Sequence, residues 1–306
     1  MTGKIVGTGS YSPDCVWDND FIATMVETND EWIKERTGIA RRHIAKEVSN
    51  TKMAIEAGKR ALADSNVRPE DIDVVIVCTM SPDNTLPCMA CIVQNEIGAI
   101  NAFGYDLNAA CSGFLFAYNT VLSYMELGIV KNALIVGSEK LSGVVDWTDR
   151  GTCILFGDGA GAVVVSAVDG ASHMIMHSDG KKGNALTLSE NSKMYMDGQE
   201  VFKFAVKKVP ESINELLEIS EMTVSDIDLF VLHQANRRIV ESVAKKLKCD
   251  IDKFPMNLDE YGNTSSASIP LLLDELKKDG KLVEGNRIII SGFGAGLSWG
   301  STLIEI

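Results

Sequence analysis

Apolar and polar positions along the chain follow two alternating periodicities, which predict strands and helices in turn. Short β-branched runs at 74–78 and 229–232 have the length and composition of buried strands. Segments 51–65 and 201–219 instead carry apolar residues three and four positions apart, as amphipathic helices do. A further helix is predicted at about 112–127. Strands that alternate with helices indicate an α/β fold.

The same pattern occurs twice along the chain. The acidic turn and strand at 70–78 are repeated at 225–233, and the strand at 133–137 is repeated at 288–292. Both repeats have one offset, since 225 − 70 = 155 and 288 − 133 = 155. A constant offset predicts a duplicated fold in which each half has a parallel or mixed sheet covered by helices.

The repeat divides the chain and locates a candidate site. We predict an N-terminal half at 1–168 and a C-terminal half at 169–306. In folds of this class ligands bind where the carboxyl ends of strands and their loops converge. If the halves pack about a pseudo-twofold axis, Cys111 of the first half meets His233 and Asn263 of the second.

Cys111 lies where a predicted strand changes to a helix of small and apolar residues. A helix N-terminus favours a negative sulfur, so we expect its pKa to be below the ordinary value of about 8.5. A buried, inert cysteine is the alternative, since free cysteines are often buried. The 155-residue offset places the counterpart of Cys111 near Ser265 or Ser266.

Composition and charge exclude several classes of function. The 306 residues carry a net charge of −13, which is unfavourable for general nucleic-acid binding. The seven cysteines are an odd number without a full set of metal-ligand spacings, so we expect reduced thiols in the cytosol and no metal site. No apolar run approaches the roughly 18 residues that span a bilayer, and no secretory signal is recognised, so a cytoplasmic protein is expected.

The C-terminal half contains polar and glycine-rich segments that are unusual for a core. His233 directly follows an apolar strand, where an imidazole can donate a hydrogen bond or move a proton. The run 292–296 lacks the spacing and the lysine of a nucleotide loop, and we expect one of its N–H groups to face an oxyanion. The similar run 157–161 is interpreted as a tight structural hairpin.

Six motifs together resemble the β-ketoacyl-acyl carrier protein synthase III family of the thiolase superfamily. They follow the order of that family and cover nearly the whole chain. The motifs are 31–38 (EWIKERTG), 110–114 (ACSGF), 149–152 (DRGT) with 156–161 (FGDGAG), 233–236 (HQAN), 262–267 (GNTSSA) and 292–300 (GFGAGLSWG). The resemblance implies a thiolase-like αβαβα layered fold made of two duplicated halves.

The resemblance also implies an activity and a catalytic triad. Cys111 would attack an acyl-coenzyme A starter, either acetyl-coenzyme A or another short-chain thioester, and form an acyl-enzyme. Malonyl-acyl carrier protein would then lose CO₂, and His233 and Asn263 would stabilise the enolate. The condensation would initiate fatty acid biosynthesis, with both thioesters as substrates and with no cofactor. The oxyanion hole would consist of the N–H groups of Cys111 and Ala295, where many members have glycine instead of alanine.

Binding residues are carried over from the family in the same way. Coenzyme A would contact Thr28, Trp32, Arg36 and Arg150, with the adenine between Trp32 and Arg150. The family's patch for acyl carrier protein corresponds to Gln234, Ala235, Asn236, Arg237 and Arg238. The loop at 81–87 resembles one that crosses a homodimer interface, and Leu86 would then close the acyl pocket of the partner.

Related enzymes of other kinds would differ from this chain at specific positions. A thiolase would have a second cysteine near Phe293, a chain-elongating synthase would have histidine in place of Asn263, and a hydroxymethylglutaryl-coenzyme A synthase would have a catalytic glutamate motif. A priming synthase of a specialised polyketide-type pathway, or a related acyltransferase onto a hydroxyl or amine, stays open. A non-catalytic scaffold for carrier protein is disfavoured by the intact triad.

Overall fold

The computed structural model describes residues 1–189 and 193–306. Its strands are β1 (Thr2–Tyr11), β2 (Val16–Asp18), β3 (Arg41–His43), β4 (Val74–Cys78), β5 (Phe103–Leu107), β6 (Asn132–Glu139), β7 (Gly159–Val168), β8 (His173–Ser178), β9 (Leu186–Thr187), β10 (Tyr195–Met196), β11 (Leu229–Leu232), β12 (Arg287–Gly294) and β13 (Ser298–Glu305). Its α-helices are α1 (Asn19–Ala23), α2 (Asp30–Thr37), α3 (Asn50–Ser65), α4 (Met89–Glu96), α5 (Gly113–Glu126), α6 (Arg150–Cys153), α7 (Gly198–Ile219), α8 (Arg237–Leu247), α9 (Leu258–Tyr261) and α10 (Ser268–Lys278).

Two mixed sheets form the framework of the described chain. The first has the strand order β1-β7-β6-β4-β5, and the second has the order β8-β13-β12-β11. In the first sheet β4 pairs in parallel with β5 and β6, whereas β7 is antiparallel to both of its neighbours. The second sheet repeats this arrangement, because β11 and β12 are parallel and β13 is antiparallel to β12 and β8.

Helices cover both sheets and separate them, which gives five layers. Phe114 of α5 and Leu272 of α10 share one buried cluster with strand residues of both sheets, so these two helices lie between the sheets. Helices α3 and α4 pack on the outer face of the first sheet, and α7 and α8 pack on the outer face of the second. The predicted α/β fold is confirmed.

The 155-residue offset holds in the structure as well. Strands β6 and β12 differ by it at both ends (287 − 132 = 155 and 294 − 139 = 155), and so do the starts of α5 and α10 (268 − 113 = 155). The 3₁₀ turns 110–112 and 265–267 before these helices are equivalent too, which makes Ser266 the counterpart of Cys111. Their first residues, Ala110 and Ser265, have φ values of 47° and 52°.

The division into 1–168 and 169–306 stays a prediction. It is supported by the sheets, because β7 is the last strand of the first sheet and ends at Val168, while β8 of the second sheet begins at His173. The strands that pair within each sheet lie on one side of that point.

Helix α5 spans Gly113–Glu126, in agreement with the predicted range of about 112–127, and it follows the 3₁₀ turn 110–112. One local expectation needs correction. The run 157–161 is not a hairpin, since Gly159 begins the ten-residue strand β7. Its glycine content has a packing reason: a Cβ on Gly161 would lie 2.4 Å from the backbone nitrogen of Leu271 in α10.

Candidate active site

Cys111, His233 and Asn263 line one cavity of about 510 Å³. The three residues come from three separate loops: the turn before α5, the end of β11, and the segment between α9 and α10. Phe293 and Gly294 at the end of β12 line the same cavity. The structure therefore brings together the three side chains that the sequence repeat predicted to meet.

Cys111 is held in position by close backbone packing. Its side chain is buried, with 4 % exposure. A Cβ on Gly294 would lie 2.9 Å from the Cys111 nitrogen and 3.0 Å from the Cys111 Cβ, so only glycine leaves room for the turn in its present place. Gly294 thus lets β12 pass directly beneath the nucleophile.

The expectation of a lowered pKa for Cys111 is wrong for this structure. Burial raises the pKa of the thiol to about 12, a hydrogen bond from Ser265 to the charged form lowers it, and the nearby carboxyl of Glu139 raises it again. The start of α5 favours a thiolate, but the loss of solvation outweighs that effect. A thiol with so high a pKa is mostly protonated at neutral pH.

His233 is a neutral imidazole with one nitrogen already in use. Burial lowers the pKa of His233 to about 3. Its Nδ1 lies 2.7 Å from Ser268 Oγ, which leaves Nε2 as the nitrogen for a ligand. The backbone N–H of Gln234 donates to the same Oγ over 3.3 Å, so this hydroxyl has a hydrogen to offer to Nδ1. That arrangement favours the tautomer with a proton on Nε2, which can donate a hydrogen bond into the cavity.

Asn263 also has one end of its side chain fixed. Its Oδ1 accepts a hydrogen bond of 2.9 Å from the backbone N–H of Ser265. Its own backbone is anchored in the first half, where its N–H donates to Leu155 O over 2.8 Å. With Oδ1 occupied, the amide NH₂ group is the part that remains for a ligand. The cavity thus holds a buried thiol next to two uncharged hydrogen-bond donors.

Comparisons with known proteins agree on a family. Residues 217–306 match the family model "3-Oxoacyl-[acyl-carrier-protein (ACP)] synthase III C terminal", and residues 105–182 match the model "3-Oxoacyl-[acyl-carrier-protein (ACP)] synthase III". A beta-ketoacyl-[acyl-carrier-protein] synthase III from Clostridium acetobutylicum is 47% identical, over 99% of this chain and 98% of the relative. The chain belongs to the β-ketoacyl-acyl carrier protein synthase III family.

Solved structures of similar proteins support the same family assignment. The crystal structure of 3-oxoacyl-[acyl-carrier-protein] synthase III from Aquifex aeolicus has a TM-score of 0.97 and 42% identity, and the match covers 99% of this chain and 100% of that one. The priming β-ketosynthase of the R1128 polyketide biosynthetic pathway has a TM-score of 0.96 and 35% identity, with coverage of 100% and 96%. The resemblance found in the sequence is confirmed: the protein is an acyltransferase with a thiolase-like fold.

The residues that the synthase III resemblance assigns to coenzyme A lie around the cavity mouth, with one exception. Trp32, Arg36 and Arg150 line the cavity. The guanidinium groups of Arg36 and Arg150 lie 4.8 Å and 4.9 Å from the Trp32 ring centre, so an adenine between Trp32 and Arg150 has to displace the arginine. Thr28 does not line the cavity, and its Oγ1 is buried without a hydrogen-bond partner among the described residues.

The five residues assigned to carrier protein differ in exposure, and one of them is buried. Arg237 and Arg238 are exposed at the start of α8, and Ala235 and Asn236 are half-buried and line the cavity mouth. Gln234 is 1 % exposed, which contradicts a direct contact with a protein partner. Its side chain instead donates to Leu232 O over 2.8 Å and accepts from the backbone N–H of Asn257 over 3.2 Å. Gln234 thereby holds the loop after β11 in place.

Two further predicted residues lie outside the lining of the cavity. Ala295 is half-buried directly after β12, next to Gly294, which is the lining residue. Leu86 is 83 % exposed and does not line the cavity of its own chain. An exposed apolar side chain at this place fits a role at the site of a second subunit, which stays a prediction.

The sequence reasoning missed the residues that support the three site residues. Ser268 sets the tautomer of His233, and Gly294 makes room for Cys111. The 155-residue offset is the sequence signal that points to Gly294, because it makes Gly294 the equivalent of Glu139 (294 − 139 = 155). Gly294 lies against Cys111, and Glu139 correspondingly contacts Ser266, with 2.8 Å between Oε1 and Oγ.

The part of the chain that the structure describes has neither a cluster of metal ligands nor a membrane-spanning helix. Across residues 1–189 and 193–306, no group of three or more His, Cys, Asp or Glu side chains is arranged to hold a metal ion. Within the same ranges no helix is long and apolar enough to cross a membrane.

Proposed function

We propose that the protein condenses an acyl-coenzyme A starter with malonyl-acyl carrier protein and so initiates fatty acid biosynthesis. The observation that carries this proposal is the common cavity of Cys111, His233 and Asn263. A thiol next to two uncharged donors suits a reaction in which an acyl group is first stored on sulfur and an enolate is then formed beside it.

The first step transfers the acyl group to Cys111. The sulfur forms a bond to the carbonyl carbon of the thioester, coenzyme A leaves as a thiol, and the proton of Cys111 leaves with it. The oxyanion of this step would be held by the backbone N–H groups of Cys111 and Ala295, the second assigned by resemblance. Cys111 is only 4 % exposed, which limits the access of water that would otherwise hydrolyse the acyl-enzyme.

The second step forms the carbon–carbon bond. Malonyl-acyl carrier protein loses CO₂, and the enolate oxygen accepts hydrogen bonds from His233 Nε2 and from the Asn263 amide. Each well-placed donor of this kind contributes about 3 kcal/mol, or roughly a hundredfold in rate. The enolate carbon then attacks the acyl carbonyl and expels the Cys111 sulfur.

Intact-chain mass spectrometry tests the first step. Incubation with acetyl-coenzyme A should add one acetyl group, and Cys111→Ala should abolish the adduct. Cys78→Ala is a matched control, because Cys78 is equally buried but lies at the end of β4, outside the lining of the cavity. A chain that takes no acyl group from any acyl-coenzyme A would instead favour a non-catalytic scaffold.

The second step has its own test, which separates the two donors from the nucleophile. His233→Ala and Asn263→Ala should still form the acyl-enzyme but should lose release of CO₂ from malonyl-acyl carrier protein by about a hundredfold each. If either variant decarboxylates at the wild-type rate, its donor role is wrong.

The second candidate is a priming synthase of a specialised pathway. The 35% identical priming β-ketosynthase of the R1128 pathway favours it as the alternative. The starters should differ by a modest factor if only pocket volume distinguishes them, since one methylene contributes about 1 to 3 kcal/mol. Competing acyl-coenzyme A starters, compared by kcat/KM, identify the starter that the site prefers.

The proposed binding sites follow from the basic and aromatic side chains at the cavity mouth. Trp32→Ala should raise KM for acyl-coenzyme A and leave the fold intact, because Trp32 is only half-buried. Acyl carrier protein is acidic and would be steered by Arg237 and Arg238. A homodimer is proposed from the exposed position of Leu86, and sedimentation of the wild type and of Leu86→Asp tests it.

A further inference from the structure

The hydroxyl of Ser265 is buried without a partner. Ser265 is 0 % exposed, and among the described residues its Oγ makes no hydrogen bond. Its φ of 52° is in the left-handed region, which costs free energy for a residue other than glycine. A buried hydroxyl without a partner opposes folding as well. Both costs fall on one residue next to the nucleophile. Residues with strained backbone conformations cluster at functional sites.

The turn that carries this hydroxyl packs against the turn that carries the nucleophile. These are the 3₁₀ turns 265–267 and 110–112. A hydrogen bond from Ser265 to the ionised sulfur is the largest of the effects that lower the pKa of the Cys111 thiol. In the structure itself the hydroxyl has no partner among the described residues, so it is free to donate to a charged sulfur.

Glu139 is the other acceptor near this hydroxyl: burial raises the pKa of its carboxyl, and a hydrogen bond from Ser265 is one of the smaller effects that oppose this rise. The carboxyl group of Glu139 already has its own partners within 3.5 Å. They are Ser81 Oγ at 2.6 Å, Ser266 Oγ at 2.8 Å, Met80 N at 3.2 Å and Thr79 Oγ1 at 3.3 Å. Both carboxyl oxygens of Glu139 thus already accept a hydrogen bond, whereas the Cys111 sulfur accepts none from a side chain of the described residues.

We propose that Ser265 Oγ donates a hydrogen bond to the thiolate of Cys111 and stabilises it during acyl transfer. The proposal rests on the proposed function only in taking Cys111 as the nucleophile. A donor to an ionised acceptor forms a stronger hydrogen bond than a donor to a neutral one, so the interaction favours the reacting state over the resting thiol. Ser265 keeps its own proton throughout, and the thiol proton leaves with the departing thiol.

Few other titratable groups face the sulfur. Glu139 at the end of β6 acts against ionisation, and His233 after β11 is neutral. Cys78 of β4 lies behind the turn, where its Cβ would be 3.2 Å from a Cβ on Gly113, and burial keeps the pKa of its thiol high. None of these three supplies a positive charge, which leaves the start of α5 and the Ser265 hydroxyl to stabilise the thiolate.

Alkylation of the full chain without substrate tests the proposal. The rate at which iodoacetamide modifies Cys111 is followed by peptide mass spectrometry, because the six other cysteines also react, between about pH 7 and pH 9. Ser265→Ala should react about threefold to tenfold more slowly at each pH with an unchanged slope. The range follows from about one pKa unit less ionisation, partly offset by the greater nucleophilicity of a more basic thiolate.

Thermal unfolding of Ser265→Ala distinguishes a role in stabilising the thiolate from a purely structural role. Ser265→Ala should be at least as stable as the wild type, because it removes an unpaired buried hydroxyl. The neighbouring Ser266→Ala is the matched control: it removes a hydroxyl that has two partners, Cys78 O and Glu139 Oε1, and should lower the unfolding temperature.

Ser265→Gly separates the hydroxyl from the backbone. Glycine suits the positive φ and lacks the hydroxyl, so it should slow alkylation as much as alanine does. Wild-type alkylation rates in folded Ser265→Ala or in Ser265→Gly would overturn the proposal. The test measures only the thiol, so slowed alkylation in a protein that forms no acyl-enzyme would contradict the proposed function and would support only the hydrogen bond from Ser265 to the thiolate.

Discussion

Replacing Gly294 with alanine should damage acyl transfer far more than it damages the fold. The new Cβ would lie 2.9 Å from the Cys111 nitrogen, 3.0 Å from its Cβ and 3.3 Å from its Cα. Carbon atoms pack best at about 3.5 to 4.0 Å, so the turn or the strand has to move by roughly 0.5 Å or more. Overpacking of this kind costs about 1 to 3 kcal/mol of stability.

The displaced group is the nucleophile itself, which makes the expected rate loss larger. The turn cannot move freely, because the turn 265–267 packs against it as well. A misplacement of about 1 Å can cost a hundredfold in rate. We therefore expect Gly294→Ala to acylate from acetyl-coenzyme A about tenfold to a hundredfold more slowly, measured by quenched-flow and intact mass.

Gly292→Ala is the matched control on the same strand. Residues two apart share one face of a strand, but a Cβ on Gly292 would lie 3.3 Å from the Leu115 Cβ and 3.4 Å from the Ser112 Cα, which are tight contacts that small shifts relieve. It should lose much less acylation rate than Gly294→Ala. Equal effects of the two variants, or near-normal acylation by Gly294→Ala, would refute the argument that Gly294 positions the nucleophile.

Three further predictions concern charge and pH. His233 has a native pKa of about 3 and an ordinary pKa of about 6.5, so only the unfolded chain takes up a proton between these values. The free energy of unfolding should therefore fall by about 2 kcal/mol from pH 7 to pH 5. Urea unfolding of His233→Gln should lack this loss. Burial raises the pKa of Glu139, so the stability contributed by its protonated form is lost as pH rises above about 4.5. The free energy of unfolding of Glu139→Gln should therefore increase relative to that of the wild type from pH 4 to pH 7. Arg238→Glu should raise KM for acyl carrier protein several-fold at low salt and weaken its salt dependence, whereas an unchanged KM would exclude Arg238 from that surface.

The sequence determined the architecture because its signals are local and repeated. β-branched runs, apolar residues at helical spacing and a constant offset of 155 predicted two α/β halves with Cys111 before a helix. The offset even predicted which positions are equivalent, since the turns before α5 and α10 correspond residue by residue. Such patterns reflect hydrogen bonding and burial within single elements, which neighbouring residues encode.

Only the tertiary structure decided how each site residue behaves. The pKa of Cys111 depends on everything that removes water from the sulfur, and burial raises it where the helix start alone would lower it. Gln234 and Arg238 are close in sequence, yet one holds a loop in the interior and the other is exposed. Solvation and contact geometry are set by segments more than a hundred residues apart, and no local pattern contains that information.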